Sequence, residues 1–448
     1  MEKTITEKRA FPRIIITLPV RITTDFIGET FNLSEIGVNF VFQKPLLSSI
    51  GQVKIELSEE EFIKTEFKVI WNKHLVKEDK FIYGARFRRL KEKDLKIFRT
   101  ILAKSKCLNE KFINLINEFR NYLKSIKTKF DKFDIKNLDE KDRISFVERE
   151  KNEIFEKLNM YFNNTWKITR NFTGEEYHLH QKYSRRMLWP LLHDPVETNR
   201  LVCEKPLGYA GDFTIMSYIY DFHNKYLGNS SYEKLINFYT CNIPISASVV
   251  KRKDFFKKKI LEILYSREFP KVLSVGSGPA RELLELIREA RLVKPLYFDC
   301  LDFEKRALEY AQDQLQEIES EKKSYLHIGF VNKNILDLIK DEKIENAFKK
   351  YDLVYASGLL DYLFTRTAKK VVENLYRLLD KKGVLIVTNV KKENATHRVY
   401  YEMLGEWYLH HRTKEELLDW VKDIQNANVK FDGSGQGNSF WFLCLHRK

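Results

Sequence analysis

Two groups of residues in this 448-residue chain have types and spacing that could do chemistry. The first opens with Lys271-Val272-Leu273-Ser274-Val275-Gly276-Ser277-Gly278-Pro279-Ala280-Arg281-Glu282, a short apolar run, a glycine turn and a helix-forming stretch. Gly276 and Gly278 let the backbone approach a ligand closely, with Ser277, Pro279 and Ala280 completing the turn. Asp302, with Phe303 beside it, ends the next apolar run, where a carboxylate can hold two ribose hydroxyls. Asn334 and Ile335 follow the third run, where an amide can meet an adenine edge, and Ser357 and Gly358 close the fourth. The second group lies near the N-terminus. Arg9 and Arg13 stand four apart before the first strand-like run, with Lys8 adjacent, and Asn32, Ser34 and Gly37 follow that run. Arginine forks onto phosphate oxygens or a guanine edge and stacks on bases. Such a set suits an anionic nucleotide.

The surrounding patterns indicate what positions these residues. Over residues 1–105, apolar and polar residues alternate in short runs (14–22, 37–42, 53–57, 66–71 and 81–87), which predicts a small antiparallel β-barrel or sandwich closed by a helix over 92–103. Over 106–230 the period changes. Phe112, Leu115, Ile116, Phe119, Leu123, Ile126 and Phe130 recur at helical spacing, as do Ile144, Val147, Phe155, Leu158, Phe162 and Trp166, so two long helices split near 134–139 are expected as a connector or lid. Over 231–448, strand-like runs at 272–275, 296–301, 325–330, 353–356 and 384–388 alternate with helical stretches, predicting a Rossmann-like parallel sheet covered on both faces, and 440–446 suits a last inserted strand.

The pair RxxxR and Asn-Leu-Ser-Glu-Ile-Gly, with Val69-Ile70-Trp71 and Tyr83-Gly84-Ala85-Arg86-Phe87 downstream, resembles a PilZ domain over about the first hundred residues. The resemblance implies a cyclic-di-GMP receptor that uses Lys8, Arg9, Arg13, Asn32, Ser34 and Gly37. The glycine turn, Asp302, Asn334 and Tyr351-Asp352-Leu353-Val354-Tyr355-Ala356-Ser357-Gly358 together resemble a class I S-adenosylmethionine-dependent methyltransferase. Ser274 stands where an acidic residue commonly opens the glycine motif, and Ala280 replaces its third glycine. Glu282 is the candidate to supply the missing charge near the donor's amino group.

Glu204-Lys205-Pro206-Leu207-Gly208-Tyr209-Ala210-Gly211-Asp212, Ser357-Gly358-Leu359-Leu360-Asp361-Tyr362-Leu363, and Glu402-Met403-Leu404-Gly405-Glu406-Trp407 through Arg412 resemble bacterial proteins that make the extracellular factor 3-hydroxypalmitic acid methyl ester. That resemblance spans about residues 180–448 and implies methylation of a fatty acid carboxylate. A carboxylate is ionised at neutral pH and needs no general base, so the enzyme's task is alignment, which can supply about 7–11 kcal/mol of the barrier. Arg412, Tyr209 and Tyr401 are then candidates to hold the carboxylate. Trp407, Tyr362 and Leu359 are candidates to line an acyl channel, and Asp212, Asp361 and Glu402 to orient the donors.

The remaining features set bounds. The net charge is +15, but the basic residues are spread along the chain, and the densest run, Lys251-Arg252-Lys253 with Lys257 to Lys259, reads as the exposed face of an amphipathic helix. No stable nucleic-acid partner is therefore expected. The five cysteines, at 107, 203, 241, 300 and 444, form no CxxC pair, which predicts neither a zinc site nor a disulfide framework and fits a reducing cytoplasm. No apolar run approaches the roughly 18 residues of a membrane span. A homo-oligomer is compatible with the sequence. Two other readings stand beside the enzyme: a cyclic-di-GMP effector with a degenerate methyltransferase domain, and an RNA methyltransferase.

Overall fold

The computed structural model describes residues 19–23, 26–34, 37–46, 48–56, 62–75, 80–88, 90–97, 108–136, 139–172, 174–193, 196–290, 292, 294–316, 318, 324–340, 348–392, 398–432 and 438–448. The chain divides into two compact units, Met1–Asn114 with Phe172–His180, and Leu115–Asn171 with Gln181–Lys448.

In the first unit six antiparallel strands close into a barrel: β1 (Pro19–Thr23), β2 (Phe26–Ser34), β3 (Gly37–Phe42), β4 (Ile50–Glu56), β5 (Phe62–Leu75) and β6 (Lys80–Phe87), in the order β1-β2-β3-β6-β5-β4, with β1 pairing back onto β4. Closure leaves no free sheet edge. Alternate residues point inward, so Val38, Phe40, Phe42, Val53, Ile55, Ile63, Phe67, Tyr83 and Ala85 form the core. Each fully buried aliphatic or Phe side chain contributes about 1.5–3 kcal/mol. Strand β2 was not expected; Gly28, Glu29 and Asn32 weaken its strand signal, and barrel pairing on both sides overrides it. The β2–β3 hairpin places Ser34 opposite Gly37 and Asn32 opposite Asn39. A methyl group on Gly37 would lie 2.4 Å from the Ala85 carbonyl oxygen, so the packing of β3 on β6 already requires glycine there. Lys8, Arg9 and Arg13 lie outside the described residues, as do the side chains of Asn32 and Ser34.

Two long helices follow, α1 (Glu110–Asp134) and α2 (Glu140–Thr169). They break where the periodicity breaks, and Asp139 caps α2 by accepting from Asp142 N at 2.8 Å. Their aromatics pack: Phe119 lies 4.6 Å from Tyr161 and 5.1 Å from Phe162, centroid to centroid. Next come α3 (Gly174–Leu192), α4 (Glu197–Glu204), α5 (Phe213–Phe222), α6 (Ser231–Asn242) and α7 (Pro244–Ser266).

The second unit is built on a seven-stranded sheet: β7 (Lys271–Val275), β8 (Leu296–Asp302), β9 (Leu326–Asn332), β10 (Tyr351–Ala356), β11 (Leu379–Val390), β12 (Ala427–Asp432) and β13 (Phe440–Arg447), in the order β12-β13-β11-β10-β7-β8-β9. β7 to β11 are parallel, and β13 is inserted antiparallel between β11 and β12. The intervening helices are α8 (Arg281–Glu289), α9 (Lys305–Gln316), α10 (Ile335–Lys340), α11 (Thr365–Arg377) and α12 (Lys414–Val421). Successive strand residues face opposite layers. Val272, Leu353 and Ile386 pack under α7 and α8, whereas Leu273, Val354 and Leu385 pack under α11 and α12. This is the Rossmann-like fold of class I methyltransferases. The strand missing from the sequence reading is β12, an edge strand whose side chains are never fully buried. Among the described residues no helix is long and apolar enough to cross a membrane.

Candidate active site

The carboxyl ends of β7, β8 and β10 converge on the glycine turn, where ligands bind in doubly wound sheets. Gly276 and Gly278 have φ of +65° and +51°, and Ala280 keeps the left-handed conformation at +47° despite its side chain. Ala280 itself sits in the core at the start of α8 and leaves the wall to its neighbours. Asp302 ends β8, accepting from Gly278 N at 2.8 Å and from Glu304 N at 2.9 Å. Burial raises its pKa against these bonds. Glu282, buried on the first turn of α8, accepts from the Tyr355 hydroxyl at 2.6 Å, and burial likewise raises its pKa.

Gly276 to Pro279, Glu282, Asp302, Phe303, Ser357 and Gly358 all line one cavity of about 570 Å³. Phe303 is half exposed and its ring lies 5.2 Å from that of Tyr209 across the mouth. Asn334 and Ile335 do not line it. Asn334 turns back to accept from Leu336 N at 2.9 Å, and Ile335 packs in the core.

The same cavity runs on into an apolar region walled by Val202, Ile215, Ile219, Ile243, Val249 and Leu409. Of the substrate-side residues taken from the sequence, Tyr209, Leu359, Asp361, Tyr362, Tyr401 and Trp407 line it. The Trp407 indole donates to the Tyr362 hydroxyl at 2.8 Å, which leaves that hydroxyl's proton free to point elsewhere. Tyr401 meets His411 Nε2 at 2.6 Å. His411 Nδ1 lies 3.0 Å from the Leu409 carbonyl, which can only accept, so Nδ1 carries the proton and Tyr401 donates to Nε2. Burial, then Arg398, lowers the His411 pKa to about 3, so the ring is neutral. Asp361 is buried, accepts from Val390 N at 2.6 Å, and has its pKa raised by burial to about 6 against the pull of Arg252 and Arg412.

Three expected residues are elsewhere. Asp212 caps α5: it accepts from Thr214 N at 3.0 Å, Ile215 N at 3.3 Å and Leu207 N at 3.2 Å, tying the Pro206–Gly211 turn to the helix. Glu402 pairs with Arg398 at 2.5 Å. Arg412 donates to the Leu360 carbonyl at 3.0 Å, to Asn389 Oδ1 at 2.6 Å and to the Leu363 carbonyl, and stacks over Trp420. It is a structural clamp away from the cavity.

Two cations line the cavity instead: Lys205, whose ammonium donates to the Glu406 carbonyl at 3.2 Å, and the buried Arg252. Of the run expected to be an exposed helix face, Lys251 and Lys258 are exposed and Lys257 and Lys259 half-buried, but Arg252 and Lys253 turn inward and are only 6% and 7% exposed. The buried stripe of α7, Val249, Arg252, Lys253, Phe256, Ile260 and Leu264, has helical spacing, and counting its phase would have placed both cations inward. Phe440, Tyr220 and Tyr400 were also missed, as aromatics that only tertiary packing brings to the wall.

Comparison with known proteins agrees with this geometry. Residues 273–385 match a family described as "Methyltransferase domain". The second unit thus carries a methyltransferase domain on its Rossmann-like sheet. Similar solved structures include magnesium protoporphyrin IX methyltransferase from Synechocystis PCC 6803 (15% identity, 45% of this chain and 81% of that chain, TM-score 0.32). Others are a protein from Bordetella parapertussis described as possibly exported (14%, 65% and 95%, 0.43) and an O-methyltransferase family protein from Burkholderia thailandensis (15%, 61% and 72%, 0.37). No curated protein matches in sequence. The methyltransferase domain fits its cofactor: a methyl group added to Gly278 would meet nothing within 4 Å, so the turn presents bare backbone to open cavity, with the Asp302 carboxylate bonded to it.

Proposed function

We propose that this protein is an O-methyltransferase that esterifies the carboxylate of an acid with an apolar tail, and that cyclic-di-GMP regulates it through the N-terminal barrel. The observation that carries the first part is the cavity, which runs without interruption from the glycine turn to walls of Val202, Ile215, Ile219, Ile243 and Val249. Apolar walls bind an acyl tail by removing it from water. S-adenosylmethionine, when bound, supplies a methyl group on a cationic sulfur. The turn Gly276 to Pro279 with Asp302 holds it, and the bulk of Leu359, Tyr362 and Trp407 excludes water from the transfer zone.

The state of Tyr401 supports an acceptor that arrives ionised. Its hydroxyl is engaged in a hydrogen bond to His411, and a neutral His411 with so low a pKa is a poor base. Asp361 favours a second reading. With a pKa near 6 it can take a proton at neutral pH, which would serve a hydroxyl acceptor. Transfer of labelled methyl groups into a mixture of long-chain acids and alcohols separates the two. Lipid-soluble label released as methanol by mild base is the expected result; base-stable label gives the hydroxyl reading, and no label overturns both. The regulatory part draws support from the closed six-stranded barrel, whose β2–β3 hairpin bears Asn32, Ser34 and Gly37. It is tested by repeating the transfer with and without cyclic-di-GMP.

A further inference from the structure

Arg252 is a buried cation with spare hydrogen-bonding capacity. It projects from the middle of α7, is 6% exposed, and its Nε has no hydrogen-bond partner. The guanidinium lies over the Phe440 ring, its Cζ 4.5 Å from the ring centroid. Gly358, with φ of +80°, makes its room: a methyl group there would come within 2.6 Å of Nη1 and 2.8 Å of Nη2. The Tyr220 hydroxyl lies within hydrogen-bonding reach of the guanidinium, and Asp361 and Glu282 act on it through space, but among the described residues it forms no salt bridge.

Its neighbour on the helix is the contrast. Lys253 is equally buried and is fully engaged by Glu285 at 2.6 and 2.5 Å. A buried charge is ordinarily paired, because leaving it unpaired is expensive. Arg252 instead faces the cavity that holds the glycine turn, beside Ser274, Glu282 and Gly358.

We infer that Arg252 is the carboxylate anchor of this cavity: a ligand carboxylate docks on the planar guanidinium and completes its pairing. The planar fork matches a carboxylate's two oxygens. Two ligands of the proposed reaction carry that group, the methyl donor on its amino-acid part and the acid to be methylated. The inference rests on the methyltransferase reading for these identities, and its test reads binding, so a chain that transfers no methyl group can still satisfy it.

The experiment is calorimetric titration of the full chain with two ligand pairs. One pair is S-adenosylhomocysteine and its analogue lacking the carboxylate; the other is a long-chain acid and the matching primary alcohol. In the wild type, one pair is expected to differ by about ten-fold or more in Kd in favour of the carboxylate. Arg252→Gln should erase that difference while leaving the carboxylate-free ligand's affinity in place. A difference erased in the first pair assigns the anchor to the donor, and in the second pair to the acceptor. Arg252→Lys keeps the charge without the fork and should retain part of the difference; it is the variant to use if Arg252→Gln does not fold. Wild-type affinities equal within both pairs, or differences that survive both substitutions, would overturn the assignment.

Discussion

Arg412 and Asp361 sit side by side in the fold and bear their burial differently. The Arg412 guanidinium satisfies the carbonyls of Leu360 and Leu363 and the Asn389 amide oxygen. Arg412→Ala leaves these buried acceptors unmatched, at about 1–3 kcal/mol each where water cannot enter. It is expected to lower unfolding stability by about 3 kcal/mol in denaturant titrations, without a selective loss of acid binding. Asp361 is the reverse case: burial raises its pKa to about 6. Between the unfolded value near 3.9 and this folded value, the native state binds more protons. The carboxylate therefore costs stability above pH 6, and the cost fades as pH falls towards 4. Asp361→Asn is expected to melt higher than the wild type at pH 8, by about 1–3 kcal/mol in stability, with the gap closing by pH 4. If the charge orients the reaction, turnover of the wild type falls as pH drops through 6, and the variant lacks that limb.

At the scale of elements, the Pro206–Gly211 turn gets its shape from one carboxylate. Asp212 caps α5 and reaches back to Leu207 N, so the segment presenting Tyr209 to the cavity is tied to a helix terminus. Asp212→Ala is expected to cost about 1–2 kcal/mol of stability and, by freeing the turn, to raise the acceptor KM more than it lowers kcat. Thermal unfolding and steady-state kinetics check the two parts. The cap was legible in part, since an Asp before an apolar helical run is an N-cap signal. The strands of the sheet and the split between α1 and α2 were legible as well, because their apolar periods are long and regular. Strands β2 and β12 were not, because one carries Gly and Asn and the other alternates only half-buried side chains. For α7 the lysine-rich composition suggested solvent, yet the helical phase of Val249, Phe256, Ile260 and Leu264 carries Arg252 and Lys253 inward.

For the whole molecule, the proposal joins a nucleotide-responsive barrel to a methyltransferase domain in one chain. A ligand can regulate only by binding two states unequally, and the coupling is reciprocal. Paired titrations are therefore expected to show cyclic-di-GMP and S-adenosylhomocysteine changing each other's affinity by the same factor. Arg9→Ala with Arg13→Ala should abolish nucleotide binding and, with it, that factor. Independent affinities together with unchanged turnover would remove the regulatory part and leave the catalytic reading standing.

The order of residue types along the chain was enough to determine the two folds and the glycine turn with Asp302 at the carboxyl ends of β7 and β8, because these follow from local period and turn chemistry, whereas Tyr209, Tyr362, Tyr401 and Trp407 stood out only through the resemblance of their segments to a known family. Tertiary structure alone decided which charges meet the cavity. Asp212 and Glu402 are completed by partners within five residues and Arg412 by partners 23 to 52 residues away, whereas Arg252 is walled by Phe440 and Gly358 at the ends of two other strands and its Nε has no hydrogen-bond partner. A charged side chain's role depends on how many partners the fold brings to it, and those partners can lie far off in the sequence, as Phe440 does from Arg252 and Glu406 from Arg185.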